Sequence, residues 1–225
     1  HVIVGEPRWD SRGEPLELVA KRLNIVSGQV RSLSFGLPDN VRSWYFDPAG
    51  EPRVVTAYRD GRVAIHHRAA GSEPWQRVAE FDGLRPDWTV HGVDGDVMYV
   101  RQVDARLGAD VLKRYDLRQR RLDPEPFVST PGFDFSGQLV REIDGGAVLG
   151  VRVLTDAPST AWFHPQMKAV QAAVDARLPG RINLLTCRRC TDSDPVVLVL
   201  SYSDTDPGSW WVYRHAKGEW NPVGK

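Results

Sequence analysis

Apolar, β-branched and aromatic residues fall in short runs along this chain, and most of the runs are separated by turns that contain Asp, Gly or Pro. Between positions 41 and 81 the runs cover 42–46, 52–58, 62–68 and 75–81. Their separators are Asp47-Pro48-Ala49-Gly50, then Arg59-Asp60-Gly61, then a longer loop over 69–74. Four strands joined by Gly-containing turns read as one small antiparallel sheet. A second set follows at 88–93, 97–103, 111–117 and 122–129, and a third opens with 138–143 and 147–154. A fourth contains 182–186, 196–203 and 210–215 and ends near Pro222. Ahead of them, 16–25 and 29–35 around Ser27-Gly28 read as only the outer hairpin of another unit.

The turn signals keep time. Asp47, Asp94, Asp144 and Asp192 lead turns spaced 47, 50 and 48 positions apart (94−47, 144−94, 192−144). A period in the forties filled with short strands is the signature of a β-propeller, whose blades bury their faces only by stacking on neighbours. The expected fold is all-β, a partial propeller of about four to five blades of four-stranded antiparallel sheets. The whole of 1–225 is read as a single propeller domain or a fragment of one, beginning partway through a repeat. One segment breaks the rhythm: over 165–178, Met167, Val170, Val174 and Leu178 recur at steps of three and four, with Pro165 suited to a helix start and Pro179-Gly180 to its stop. That spacing predicts one inserted short helix whose apolar stripe packs on a blade.

Composition narrows the function classes. Hydrophobic residues make up 41% and charged residues 26%, ordinary for a soluble globular chain, and Lys+Arg balance Asp+Glu at 29 each. With no basic excess and no long basic block, nucleic acid is not an expected partner, and no apolar run approaches a membrane span. The compartment stays open between cytoplasmic and periplasmic. Cys187 and Cys190 form the only C-x-x-C, with no second pair to complete a zinc site. They sit in what reads as a hairpin loop. A plain turn pair, a local disulfide and metal or redox chemistry all remain open, and the pair is expected to be dispensable for folding. His66 and His67 are adjacent on a strand and face opposite ways, so that spacing makes no simple paired metal site. The run Arg118-Gln119-Arg120-Arg121 reads as a solvated hairpin tip. No catalytic, cofactor-binding or metal-binding residues are assigned.

Several motifs together resemble the propeller of the prolyl oligopeptidase family of serine peptidases, in the branch of dipeptidyl and acylaminoacyl peptidases. They are Leu178-Pro179-Gly180-Arg181-Ile182-Asn183 after the helix, Ser201-Tyr202-Ser203-Asp204 with Asp206-Pro207-Gly208, and Trp210-Trp211-Val212-Tyr213 before the Gly218 turn. Phe133-Asp134-Phe135 opening a blade and Ser34-Phe35-Gly36 closing a hairpin agree with them. The resemblance implies a partner, an α/β-hydrolase domain of the parent chain that carries the catalytic triad, with the propeller admitting short peptide substrates. This chain has no G-x-S-x-G nucleophile elbow and no βαβ alternation, and it stops where that domain is expected to start. The expectation is therefore a non-catalytic gating module, inactive by itself, with no cofactor. The alternative is a free-standing propeller that binds a protein or glycan. Uncovered blade edges would further favour self-association.

Overall fold

The computed structural model describes residues 1–71, 73–142 and 146–224. Ile143 and the expected Asp144-Gly145 turn lie outside the described residues. Two compact units divide the chain, His1–Val128 and Ser129–Lys225.

Unit 1 holds three antiparallel sheets among the described residues, each a meander in chain order. The first contains β1 (Val2–Trp9), β2 (Pro15–Leu23) and β3 (Val30–Ser32). The second contains β4 (Val41–Phe46), β5 (Pro52–Arg59), β6 (Arg62–His67) and β7 (Gln76–Asp82), and the third β8 (Thr89–Asp94), β9 (Val97–Asp104), β10 (Ala109–Asp116) and β11 (Arg121–Leu122). Inner-face residues of the second and third sheets merge in one core of Val54, Ile65, Trp88, Val93, Met98 and Val100 with their neighbours. That merging is the blade-to-blade burial a propeller repeat requires.

Unit 2 has a three-stranded sheet, β12 (Gly137–Arg141), β13 (Val148–Leu154) and β14 (Pro158–Trp162), then α1 (Pro165–Arg177). A four-stranded sheet follows: β15 (Ile182–Cys187), β16 (Val196–Tyr202), β17 (Ser209–Arg214) and β18 (Glu219–Gly224). The helix starts with Pro165 in its first turn and ends when the Leu178 N–H closes back on the Val174 carbonyl at 2.9 Å. Met167, Val170 and Val174 are its buried residues, and they meet Leu185, Val197 and Val199 of the last sheet in the core of this unit. The all-β blade architecture with one inserted helix is thus present sheet by sheet.

Three details differ from the sequence expectation. The first sheet has an additional strand, β1, whose residues are exposed along its whole length; its pairing is with β2 only, and Pro7 is tolerated there because an edge strand can lack an N–H. The expected strand 122–129 shrinks to β11 and a single bridge from Val128 to Leu112, since Pro124 and Pro126 supply no ladder donors. Finally, the third blade contains β14, a short run in which only Trp162 is buried and which therefore left no apolar alternation to read.

The repeating turn keeps its phase. It joins the first strand of a sheet to the second after Asp47, Asp94 and Asp192, and a further copy does so after Asp10. Asp10-Ser-Arg-Gly13-Glu14-Pro15 and Asp47-Pro-Ala-Gly50-Glu51-Pro52 are the same D-x-x-G-E-P turn. The aspartate carboxylate accepts the Glu14 N–H at 2.9 Å in one and the Glu51 N–H at 2.9 Å in the other. Gly13 at φ +79 and Gly50 at φ +75 occupy the left-handed position that closes each turn.

Candidate functional site

Unit 1 holds a pocket of about 640 Å³ lined by all three of its sheets. Strand alternation builds it: Ser43 and Tyr45 of β4, Thr56 of β5 and Ile65 of β6 contribute side chains, and Trp88 and Val90 close the side toward β8. The Tyr45 phenol donates to the Val90 carbonyl at 2.9 Å, which fastens the second sheet to the third. Burial pushes that phenol's pKa up, partly offset by its hydrogen bond with Ser43, so Tyr45 is a neutral wall of the pocket. On the other side, the Trp44 indole N–H donates to the Leu18 carbonyl at 2.6 Å and ties the second sheet to the first. Trp88 lies edge-on to Phe81 at 4.9 Å and 5.4 Å from Tyr115, which fixes its ring against the core.

Charged groups reach this pocket at two points. Glu17 is paired with Arg8 at 2.9 Å. Arg42 is solvent-exposed, with its guanidinium 5.7 Å from the centre of the Tyr58 ring, and among the described residues it has no carboxylate partner.

Elsewhere in unit 1 several titratable side chains are buried or half-buried by the packing around them. His66 and His67 are half-buried; burial is the main cause that lowers both pKa values, helped by Arg77 beside His66 and by Arg53 beside His67. His91 is lowered in the same way, by burial and then by Arg101. Asp104 and Lys113 form a buried pair at 3.3 Å. Burial alone would raise the Asp104 carboxyl; hydrogen bonds from the Leu107 N–H, Lys113 and the Arg106 N–H outweigh it and leave it lowered. At the tip 118–121, the Asp116 carboxylate accepts the Arg118 and Gln119 N–H groups at 2.8 Å, Arg118 pairs with Asp96 at 2.6 Å and Arg120 donates to Gln76 at 2.5 Å. All four residues of the run are exposed, as a solvated hairpin tip requires, and these surface contacts lie within its own unit. Among the described residues no group of three or more His, Cys, Asp or Glu side chains is placed to hold a metal ion.

In unit 2 the residues that carry the resemblance converge. Arg181 donates through Nε to the Ser201 hydroxyl at 2.8 Å, through Nη2 to the Ser201 carbonyl at 3.0 Å and through Nη1 to Asp206 at 3.0 Å. Asn183 donates to Asp175 on α1 at 2.9 Å and to the Leu178 carbonyl at 3.1 Å, while Gln171 bridges Asp175 and the Asn183 carbonyl. Helix, first strand and β16–β17 loop are thereby stitched together. Of the other motif residues, Phe135 is fully buried, Phe35 is 91% exposed, and Tyr213 rather than Trp210 or Trp211 is buried, stacking on Trp220 at 4.3 Å.

Cys187 and Cys190 are joined in a disulfide. Cys187 is the last residue of β15 rather than a loop residue, and both sulfurs lie in the core of unit 2 beside Met167, Val170 and Val174. Of the three readings the C-x-x-C allowed, the structure has the local disulfide, and its burial was not signalled by the flanking Arg188 and Arg189.

No protein-family model and no curated protein matches the chain. Among solved structures it is similar to TolB from Acinetobacter baumannii, at TM-score 0.47 and 12% identity over 99% of this chain and 52% of that one. It is also similar to the β-propeller domain of the trilobed protease from Pyrococcus furiosus, at TM-score 0.43 and 8% identity over 98% of this chain and 66% of that one. The chain thus spans about half to two thirds of the length of these structures.

Proposed function

We propose that this chain is the non-catalytic propeller part of a prolyl oligopeptidase-type serine peptidase, restricting access to a hydrolase domain carried elsewhere in the parent protein. The observation that supports this reading is the use made of the residues on which the resemblance rests. Arg181 is hydrogen-bonded to Ser201 and Asp206 within the last sheet and its β16–β17 loop, and Asn183 ties that sheet to Asp175 of α1. Signature residues employed in this way preserve a shape; they do not present a reactive group. A rigid entrance selects by width, so short or unfolded peptides pass and folded proteins do not.

The test uses the intact gene product. A serine-directed fluorophosphonate should label one serine outside these 225 residues and none within them. In the same protein, kcat/KM should fall steeply as a peptide substrate is lengthened, and a folded protein containing the same cleavage sequence should resist. Absence of labelling anywhere in the intact protein would overturn the reading in favour of a free-standing binding propeller. Equal cleavage of short and folded substrates would overturn the gating role alone.

A further inference from the structure

We propose that the pocket of unit 1 binds a carboxylate carried on a small apolar body, with Arg42 receiving the carboxylate. The inference is independent of whether the parent protein holds a hydrolase domain. A volume of about 640 Å³ is within the range of small-molecule sites. Its inner surface is aliphatic and aromatic, with Ile65 and Val90 buried and Trp88 held by its ring contacts, so the bulk of a ligand there must be apolar.

The polar groups then choose the head. The Tyr45 phenol is committed to the Val90 carbonyl, and Arg8 at 2.9 Å from Glu17 offsets the one carboxylate that lines the pocket. What is left is the Arg42 guanidinium, with no carboxylate partner among the described residues, and the hydroxyls of Thr56, Tyr58 and Thr89, for which no side-chain hydrogen bond is present among those residues. A guanidinium presents paired N–H donors in the fork geometry that suits a carboxylate. Its position 5.7 Å from the Tyr58 ring centre limits its wandering, so the donors are held near the pocket. With Glu17 offset by Arg8, the one further charge over these walls is Arg42, which matches a monoanion. A phosphate dianion would lack the further cations that its charge demands, and an ammonium would meet Arg42 as a like charge.

The chemistry fits either a free aryl or alkyl acid or the carboxyl-terminal residue of a peptide with an apolar side chain. Calorimetry on the chain with 3-phenylpropionate and its primary amide, and with a pentapeptide ending in Phe as free acid and as amide, separates the two sources. The acid of at least one pair should bind about tenfold or more tightly than its amide, the difference expected of a charge-assisted hydrogen bond. Arg42→Gln, a change at an exposed position, should bring the acid down to the affinity of the amide. Arg59→Gln, an exposed arginine that pairs with Asp60 and does not line the pocket, should leave it unchanged. Discrimination in the phenylpropionate pair alone would identify free acids as the source, and discrimination in the peptide pair would identify peptide ends. Equal binding of acid and amide in both pairs, no binding at millimolar ligand, or an Arg42→Gln variant that still prefers the acid would overturn the proposal.

Discussion

Gly83 shows how tightly single positions are held around the pocket. A Cβ on it would lie 2.3 Å from Cε2 of Tyr58 and 2.8 Å from the Gly61 carbonyl oxygen, and its own N–H already donates to that carbonyl at 2.7 Å. The ring has some freedom to move, but the backbone oxygen does not, so Gly83→Ala should cost about 1–3 kcal/mol through overpacking, read as a lower urea midpoint with an unchanged m-value. A midpoint equal to that of the parent chain would show that the 58–61 segment relaxes freely. Arg181 is the corresponding residue of unit 2, and here magnitudes decide which contact matters. Asp206 is half-exposed, so that ion pair contributes little. Ser201 is fully buried, and truncating its partner strands a hydroxyl at about 1–3 kcal/mol. Arg181→Met should therefore destabilise by about that amount, while Asp206→Asn should leave the melting temperature nearly unchanged. The reverse order of effects would place the weight on the surface ion pair.

At the level of elements, what was legible in the sequence was whatever leaves a local signal. The four strands between Val41 and Asp82 have clean turns at Asp47-Pro-Ala-Gly50 and Asp60-Gly61, and the structure places their ends within a residue of the sequence reading. The helix was equally visible, because Pro165 and Pro179-Gly180 bracket a three-four spacing. By contrast, β1 joins β2 through the same D-x-x-G-E-P turn as the next blade, yet its Gly5 and Pro7 interrupt any β run, so the repeated turn was the only cue to it. The pocket was illegible for a different reason: Leu18, Arg42, Thr56 and Val90 come from three sheets, and no sequence spacing joins them. Nor could the cysteines be weighed from spacing, since burial beside α1 is a tertiary fact. That burial argues against dispensability. The disulfide closes a loop of sequence separation 3, for which the chain-entropy argument gives only about 2 kcal/mol. Replacing both cysteines by Ala should cost about that much. Replacement by Ser should cost more, because each buried hydroxyl adds about 1–3 kcal/mol unless it finds a partner. Equal melting temperatures for the Ala, Ser and parent proteins would restore the earlier expectation.

For the whole molecule, the balance of 29 basic against 29 acidic residues and a pI near 7.2 place the charge minimum at neutral pH, so the chain gains net positive charge at once on acidification. Three of its imidazoles add a specific penalty to that general repulsion. His66, His67 and His91 have their pKa values lowered in the folded state, chiefly by burial, from an ordinary value of about 6.5. In the window between the folded values and about 6.5, the unfolded chain binds more protons than the folded one, and stability must fall as pH falls. Above that window both states are neutral at these sites and the dependence should vanish. Asp104 follows the carboxylate sign: its lowered pKa contributes stability that is present above the unfolded value and is lost only as pH falls through the folded one, well below the histidine window. Acidification should thus produce two separate losses, the first from imidazoles and the second from carboxylates. Urea midpoints measured from pH 8 to pH 4 should be flat above about pH 7 and decline below it, and a His66→Gln/His67→Gln variant should show a shallower first decline, whatever its stability at pH 8. A parent profile that is flat from pH 7 to pH 5, or a variant with the same slope as the parent, would show that burial does not hold these imidazoles neutral.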